Sequence, residues 1–164
     1  MNMICIWCDR EISDSGSQSA STIHGTCHYC SDNLFDHQGV DLYRYFDTLP
    51  APVILVGRNV TVNYANSIAR ALLGKELPEI EGCPPGLVLE CEYAQLPGGC
   101  GKTVHCSSCS LRQAVSETLA TGKPFVKTLM ILQHGNEGEV LGKRLLISSR
   151  RIDDTVMLRI DEEG

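Results

Sequence analysis

No run in this chain of 164 residues approaches the roughly 20 apolar positions that a membrane helix needs, so a membrane-spanning role is not expected. A basic surplus is also missing. The 14 Lys and Arg are outnumbered by 20 Asp and Glu, for a net charge of -6. Nucleic-acid binders normally present a positive face to phosphates, so no nucleic-acid partner is expected. The opening "MNMICIWCDR" lacks the basic-then-apolar layout of a secretory leader. A cytoplasmic location is therefore expected, where thiols stay reduced. No paired carboxylates, serine nucleophile or metal-hydrolase motif can be picked out, and no kinase, cyclase or DNA-binding segment is present. The expectation is a protein that is not an enzyme.

What the chain does have is cysteine, nine of them, at an overall hydrophobic content of 43% that suits a globular fold. Clustered cysteines in a reducing compartment read as metal ligands or redox groups before they read as disulfides. One group is Cys5, Cys8, Cys27 and Cys30; the other is Cys83, Cys91, Cys100, Cys106 and Cys109.

The first group forms two C-x-x-C pairs 18 residues apart, within the spacing of a zinc site. Each turn presents two thiolates on one side, and two turns complete a tetrahedron. The Ser-rich loop between them cannot bury enough apolar surface to order residues 1–31 unaided, so an external staple is required. His24 and His28 are near enough to substitute as ligands but read as ordinary polar loop residues. Residues 32–48 suit a linker turning into a short amphipathic helix, with Leu42, Tyr45, Phe46 and Leu49 on one face.

From Pro50 the character changes. "APVILVG" is an apolar run of strand length, "RN" a tight turn, and "VTVNYAN" a second, alternating strand. "NSIARALLG" follows as a helix capped by Asn66 or Ser67 and ended by Gly74. Residues 75–106 are rich in Pro, Gly and Cys and show little periodicity. Leu111, Ala114, Val115 and Leu119 then recur at helical spacing up to Gly122, and three strand-like runs finish the chain. In the last, Val156, Leu158 and Ile160 share one face. Two strands, helices, then three antiparallel strands predict an α+β fold, a sheet covered by helices.

The order "YFDTLPAPVILVG" then "VTVNYANSIARALLG", followed by a long helix and three strands, resembles PAS sensor domains, with the pattern spanning residues 47–161. The resemblance implies a five-stranded antiparallel sheet whose concave face and helices enclose a ligand or cofactor. The "CIWC…HGTCHYC" segment likewise resembles zinc knuckles placed ahead of sensor domains. The implied organisation is a zinc-knuckle segment 1–31, a linker and short helix 32–48, and a PAS-like domain 49–164 with a cysteine-rich insert 83–109.

Within that insert, "GGCGKTVHCSSC" ends like a phosphate-binding loop at Gly101-Lys102-Thr103. The nucleotide reading fails because G-x-x-x-x-G-K-[ST] needs glycine where Leu96 stands. The loop should also enter a helix directly, yet His105, Cys106 and Cys109 intervene. The metal reading takes Cys91, Cys100, Cys106 and Cys109 as ligands, with Gly98, Gly99 and Gly101 letting the backbone wrap a centre. This pattern resembles an insert in some bacterial PAS proteins. Zinc and an iron–sulfur cluster both accept four cysteines, and the spacing matches no ferredoxin closely. Zinc is expected, with the cluster as alternative. Cys83 is the odd one out and reads as a small packed residue.

The expected function is a bacterial signal-transduction sensor with cysteine-ligated metal centres. It senses redox state or a small ligand and signals through a partner protein, itself a homodimer joined by its outer sheet face and the helix bearing Leu42, Tyr45 and Phe46. The alternatives are a thiol-disulfide oxidoreductase using Cys106 and Cys109, and a zinc-stabilised adaptor that senses nothing.

Overall fold

The structure, a computed structural model, describes residues 2–12, 22–35, 42–89, 91, 109–134 and 141–162. Two compact units divide the chain, Met1–Ala51 and Pro52–Gly164.

In the smaller unit, strands β1 (Asn2–Cys5), β2 (Glu11–Ile12) and β3 (Thr22–Gly25) form a sheet in the order β2-β1-β3. The β1–β3 pairing is parallel and puts Cys5 opposite Gly25. Both strands therefore end on the same side, and the two C-x-x-C pairs leave the sheet next to one another. At Gly25 a Cβ would lie 3.0 Å from Met3 Sδ, so a larger residue would have to displace that side chain. Helix α1 (His28–Phe35) starts between the second pair's cysteines and continues past residue 31, into the segment that reads as linker. Helix α2 (Leu42–Asp47) is the expected amphipathic turn, with Tyr45 and Phe46 buried. Burial corrects one part of an expectation: of the three helix residues assigned to a dimer face, Tyr45 and Phe46 are buried and only half-buried Leu42 keeps accessible surface.

The larger unit is built on β4 (Val53–Val56), β5 (Val62–Ala65), β6 (Thr128–His134), β7 (Leu141–Ile152) and β8 (Thr155–Glu162). All neighbours pair antiparallel in the order β5-β4-β8-β7-β6, as the α+β reading requires. The β4–β5 turn closes by Gly57 N–H donating to Thr61 O at 2.9 Å and places Val60 at φ 54°. A β-branched residue is strained there, but Val60 packs its side chain on the core, which offsets the strain.

Helix α3 (Ser67–Leu73) has Asn66 as its N-cap and Gly74, at φ 63°, as its left-handed C-cap. The fully buried Asn66 Oδ1 accepts from Ala69 N–H at the helix start and from Val53 N–H on β4, both at 3.0 Å. Asn66→Ala orphans both donors. Unfolding of the larger unit in denaturant should show a loss of about 2 kcal/mol; an unchanged midpoint would show that water replaces the side chain.

Two one-turn helices, α4 (Leu77–Ile80) and α5 (Pro85–Val88), occupy part of the aperiodic region. The long helix α6 (Ser110–Thr121) ends at Gly122, φ 74°. Ile80, Val88, Leu111, Ala114 and Val115 from these helices pack with Val156, Leu158 and Ile160 in one core. The predicted inward face of β8 is the observed one.

Candidate metal centre

The site grows from two short turns. In the first, Asp9 N–H donates to Cys5 O at 3.0 Å and Cys5 N–H to Arg10 O at 2.8 Å, which wraps the chain back after Cys8. Asp9 takes φ 62°, a left-handed value that Asp tolerates better than most residues. In the second, Cys27 immediately precedes α1 and Cys30 lies in its first turn, with Ser31 N–H donating to Cys27 O at 2.8 Å. Two bonds tie the turns together: Ile6 N–H to Gly25 O at 2.9 Å, and Trp7 Nε1–H to Thr26 Oγ1 at 3.2 Å.

The result brings all four predicted N-terminal ligands together. The sulfurs of Cys5, Cys8, Cys27 and Cys30 lie within 4.8 Å of one another. Cys8 Sγ and Cys27 Sγ are 3.6 Å apart. A tetrahedral ion with metal–sulfur bonds of about 2.3 Å separates its ligand sulfurs by about 3.8 Å, so the donor set fits one ion. An iron–sulfur cluster, which interposes several iron and sulfide atoms, needs its cysteines further apart. Cys5 and Cys30 are fully buried, while Cys8 and Cys27 are half-buried.

Backbone donors already favour negative charge here. Cys27 N–H points to Cys5 Sγ at 3.4 Å and Cys30 N–H to Cys27 Sγ at 3.5 Å. Burial raises the Cys5 pKa, but N–H groups of Cys27, Trp7 and Cys8 outweigh it and hold the thiol down at about 7. Burial pushes Cys8 up to about 11 despite the Arg10 N–H, and it raises Cys30 further still. The Cys5 thiolate forms easily while Cys8 and Cys30 resist, which is the condition a divalent cation relieves. Arg10 supplies outlying positive charge, its guanidinium lying over the Tyr29 ring 4.7 Å from the centroid.

The second predicted set is only partly in view. Cys91 and Cys109 are half-buried, and both border the core of the larger unit. Cys91 N–H donates to Gly86 O at 2.7 Å; Cys109 caps α6, its carbonyl accepting from Gln113 N–H at 3.0 Å. Cys100 and Cys106 lie outside the described residues, as do Lys102 and His105. Cys83 rests on the core as a packed residue and donates its S–H to Glu79 O at 3.4 Å. His28 is exposed, and among the described residues no histidine joins the four-sulfur group.

Sequence reasoning missed Tyr45. Burial raises the Cys30 pKa, and the Tyr45 side chain, 15 positions away along the chain, works against that rise. Helical spacing marks Tyr45 as apolar-face and says nothing of where its oxygen goes.

No protein-family model matches the sequence, and no curated protein matches it. Solved structures do. A LOV protein of Rhodobacter sphaeroides is 16% identical, superposes with a TM-score of 0.51, and is matched over 79% of this chain and 68% of its own. A second structure of a Rhodobacter sphaeroides LOV protein, a variant, gives 14% identity, a TM-score of 0.52, and 79% and 70% coverage. The photoactive yellow protein domain of a sensor histidine kinase from Rhodospirillum centenum gives 14%, 0.47, and 79% and 97%. At such identities the likeness concerns architecture. Taken with the strand order and the helices on one sheet face, it shows that this chain carries a PAS fold, beside a separate unit that gathers four cysteines.

Proposed function

We propose that the protein is a cytoplasmic, non-enzymatic sensor module of bacterial signal transduction. In this reading residues 1–31 are a metal-stapled knuckle, 32–48 a connector, and 49–164 the sensor domain with its cysteine-rich insert 83–109. Cys5, Cys8, Cys27 and Cys30 hold zinc. The four-sulfur cluster carries the metal assignment: four cysteines fill a tetrahedral ion's positions and leave none for substrate, the pattern of a structural site.

The second centre uses Cys91, Cys100, Cys106 and Cys109, with zinc favoured over an iron–sulfur cluster. Support comes from Cys91 and Cys109, the two ends of that segment, both resting on the core of the PAS fold. A redox or ligand change between them acts on the start of α6 and hence on the sheet. It signals by shifting the population of packing states, with output passing to a partner protein or across a homodimer.

Anaerobically purified protein should therefore contain two metal ions per chain and reduce no disulfide substrate. One ion would remove the second centre and none would remove both, while thiol-disulfide turnover by metal-loaded protein would favour the oxidoreductase. Cys106→Ser should lose one metal and speed amide exchange in the first turn of α6. Lys102→Ala should lose none, and neither protein should bind ATP. ATP binding that disappears with Lys102 would restore the phosphate-loop reading.

A further inference from the structure

We infer that β6 joins two copies of this chain. The two β6 strands pair antiparallel about a two-fold axis at Ile131, merging two five-stranded sheets into one of ten strands. The inference supplies the contact for the homodimer proposed above and rests on that reading only for the second copy; the metal assignments are independent of it.

The two edges of the sheet, β5 and β6, differ. The β5 edge is occupied: Val62 N–H donates to Cys83 O at 2.7 Å, and Val62 O accepts from Gly82 N–H at 2.9 Å. Helix α4 packs against the same strand. The β6 edge is open, since no backbone group among the described residues hydrogen-bonds to its far side. Proteins blunt such edges with charge, proline, a bulge or brevity. Thr128–His134 has seven residues, no Asp, Glu, Lys, Arg or Pro, and an unbroken register with β7. Leu129 and Ile131, on the face away from the core, are 42% and 53% exposed.

A second copy fits this edge because the edge is complementary to itself. Ile131 is the middle residue of β6, so an axis there sets Ile131 against Ile131, Leu129 against Gln133 and Thr128 against His134. In that register each position keeps its face. Met130 stays on the core side in both copies, and the exposed apolar residues become neighbours. No like charges meet within the ladder. Lys127, just ahead of it, is held by Asp161 of its own chain at 3.2 Å. Arg144, beside Ile131 on β7, lies three strand spacings from its counterpart, about 14 Å and beyond the roughly 8 Å screening length. The assembly closes at two, because the edges left at its ends are the occupied β5 strands.

The test uses the full chain under reducing conditions, which keep its nine cysteines from cross-linking copies. Sedimentation should show a reversible monomer–dimer equilibrium at micromolar concentration, as suits a contact below about 1,200 Å². Amide exchange should slow at every second residue of β6 as concentration rises, because edge pairing covers only the N–H groups that β7 does not take. Ile131→Lys sets two like charges opposite each other at the axis and should weaken the dimer about tenfold or more. Leu72→Lys, at an exposed position on α3, should leave the dimer intact. The wild-type exchange pattern decides the matter even where a variant does not fold. A dimer that lacks this pattern, survives Ile131→Lys or is lost in Leu72→Lys would overturn the inference and leave a homodimer standing. Particles larger than dimers would overturn the closed two-fold pairing. A chain that stays monomeric at every concentration would overturn both this contact and the homodimer, with the metal site untouched.

Discussion

Cys27→Ser is expected to release one metal ion per chain and to unfold residues 2–35 while the five-stranded sheet stays folded. Cys27 sits at the hub of the site. Its sulfur lies 3.6 Å from Cys8 Sγ and accepts the Cys30 N–H, and its own N–H donates to Cys5 Sγ. Structural zinc contributes about 10–16 kcal/mol to the folding of small domains. The smaller unit has little to set against such a loss: its strands have four, two and four residues, and its helices eight and six. Oxygen in place of sulfur gives zinc a poorer ligand and removes the thiolate that closes the tetrahedron. Metal analysis and amide exchange along the chain check both halves of the result. A variant with its full metal content would mean that Cys27 is no ligand.

Leu158→Ala should lower the stability of the larger unit by about 2–5 kcal/mol. Leu158 is fully buried in β8, between Ile54 of β4 and Ser149 of β7. Its side chain belongs to the core shared with α3, α4, α5 and α6. Truncation there removes contacts to both layers at once, and strands pinned on either side have little freedom to collapse into the void. Denaturant titration measures the loss. A change of about 0.5 kcal/mol, as surface substitutions give, would place Leu158 on the wrong face.

The parts legible in the sequence are those with a local physical signature. Alternation in "TVMLRI" fixes the inward face of β8, and Asn66 with Gly74 brackets α3 because a cap needs a side-chain acceptor at one end and a left-handed residue at the other. The pairing of Cys5-x-x-Cys8 with Cys27-x-x-Cys30 was equally legible, since thiol chemistry and spacing point the same way.

Other features have no such signature. Helices α4 and α5 have four residues each, too short for a 3.6-residue period to register. Their only local cues are a capping box between Glu76 and Glu79 and the prolines at their starts. The parallel β1–β3 ladder joins four-residue strands on either side of a polar loop, where alternation is too brief to read. The influence of Tyr45 on Cys30 is a tertiary fact. Helical spacing assigns a residue to a face but leaves open which groups its side chain reaches.

The sheet order has a consequence for how the chain is made. Strand β8 is the last of the sheet's five strands to be synthesised, yet it lies between β4 and β7, pairing Val156 with Val56 across 100 positions of sequence. Until it emerges, the β4–β5 hairpin and the β6–β7 hairpin share no ladder, and each presents a strand edge able to recruit a neighbouring nascent chain. Pairings this remote along the chain are slow to form. Closure of the domain therefore waits for the synthesis of β8, and the interval before it is when chaperones have most to protect.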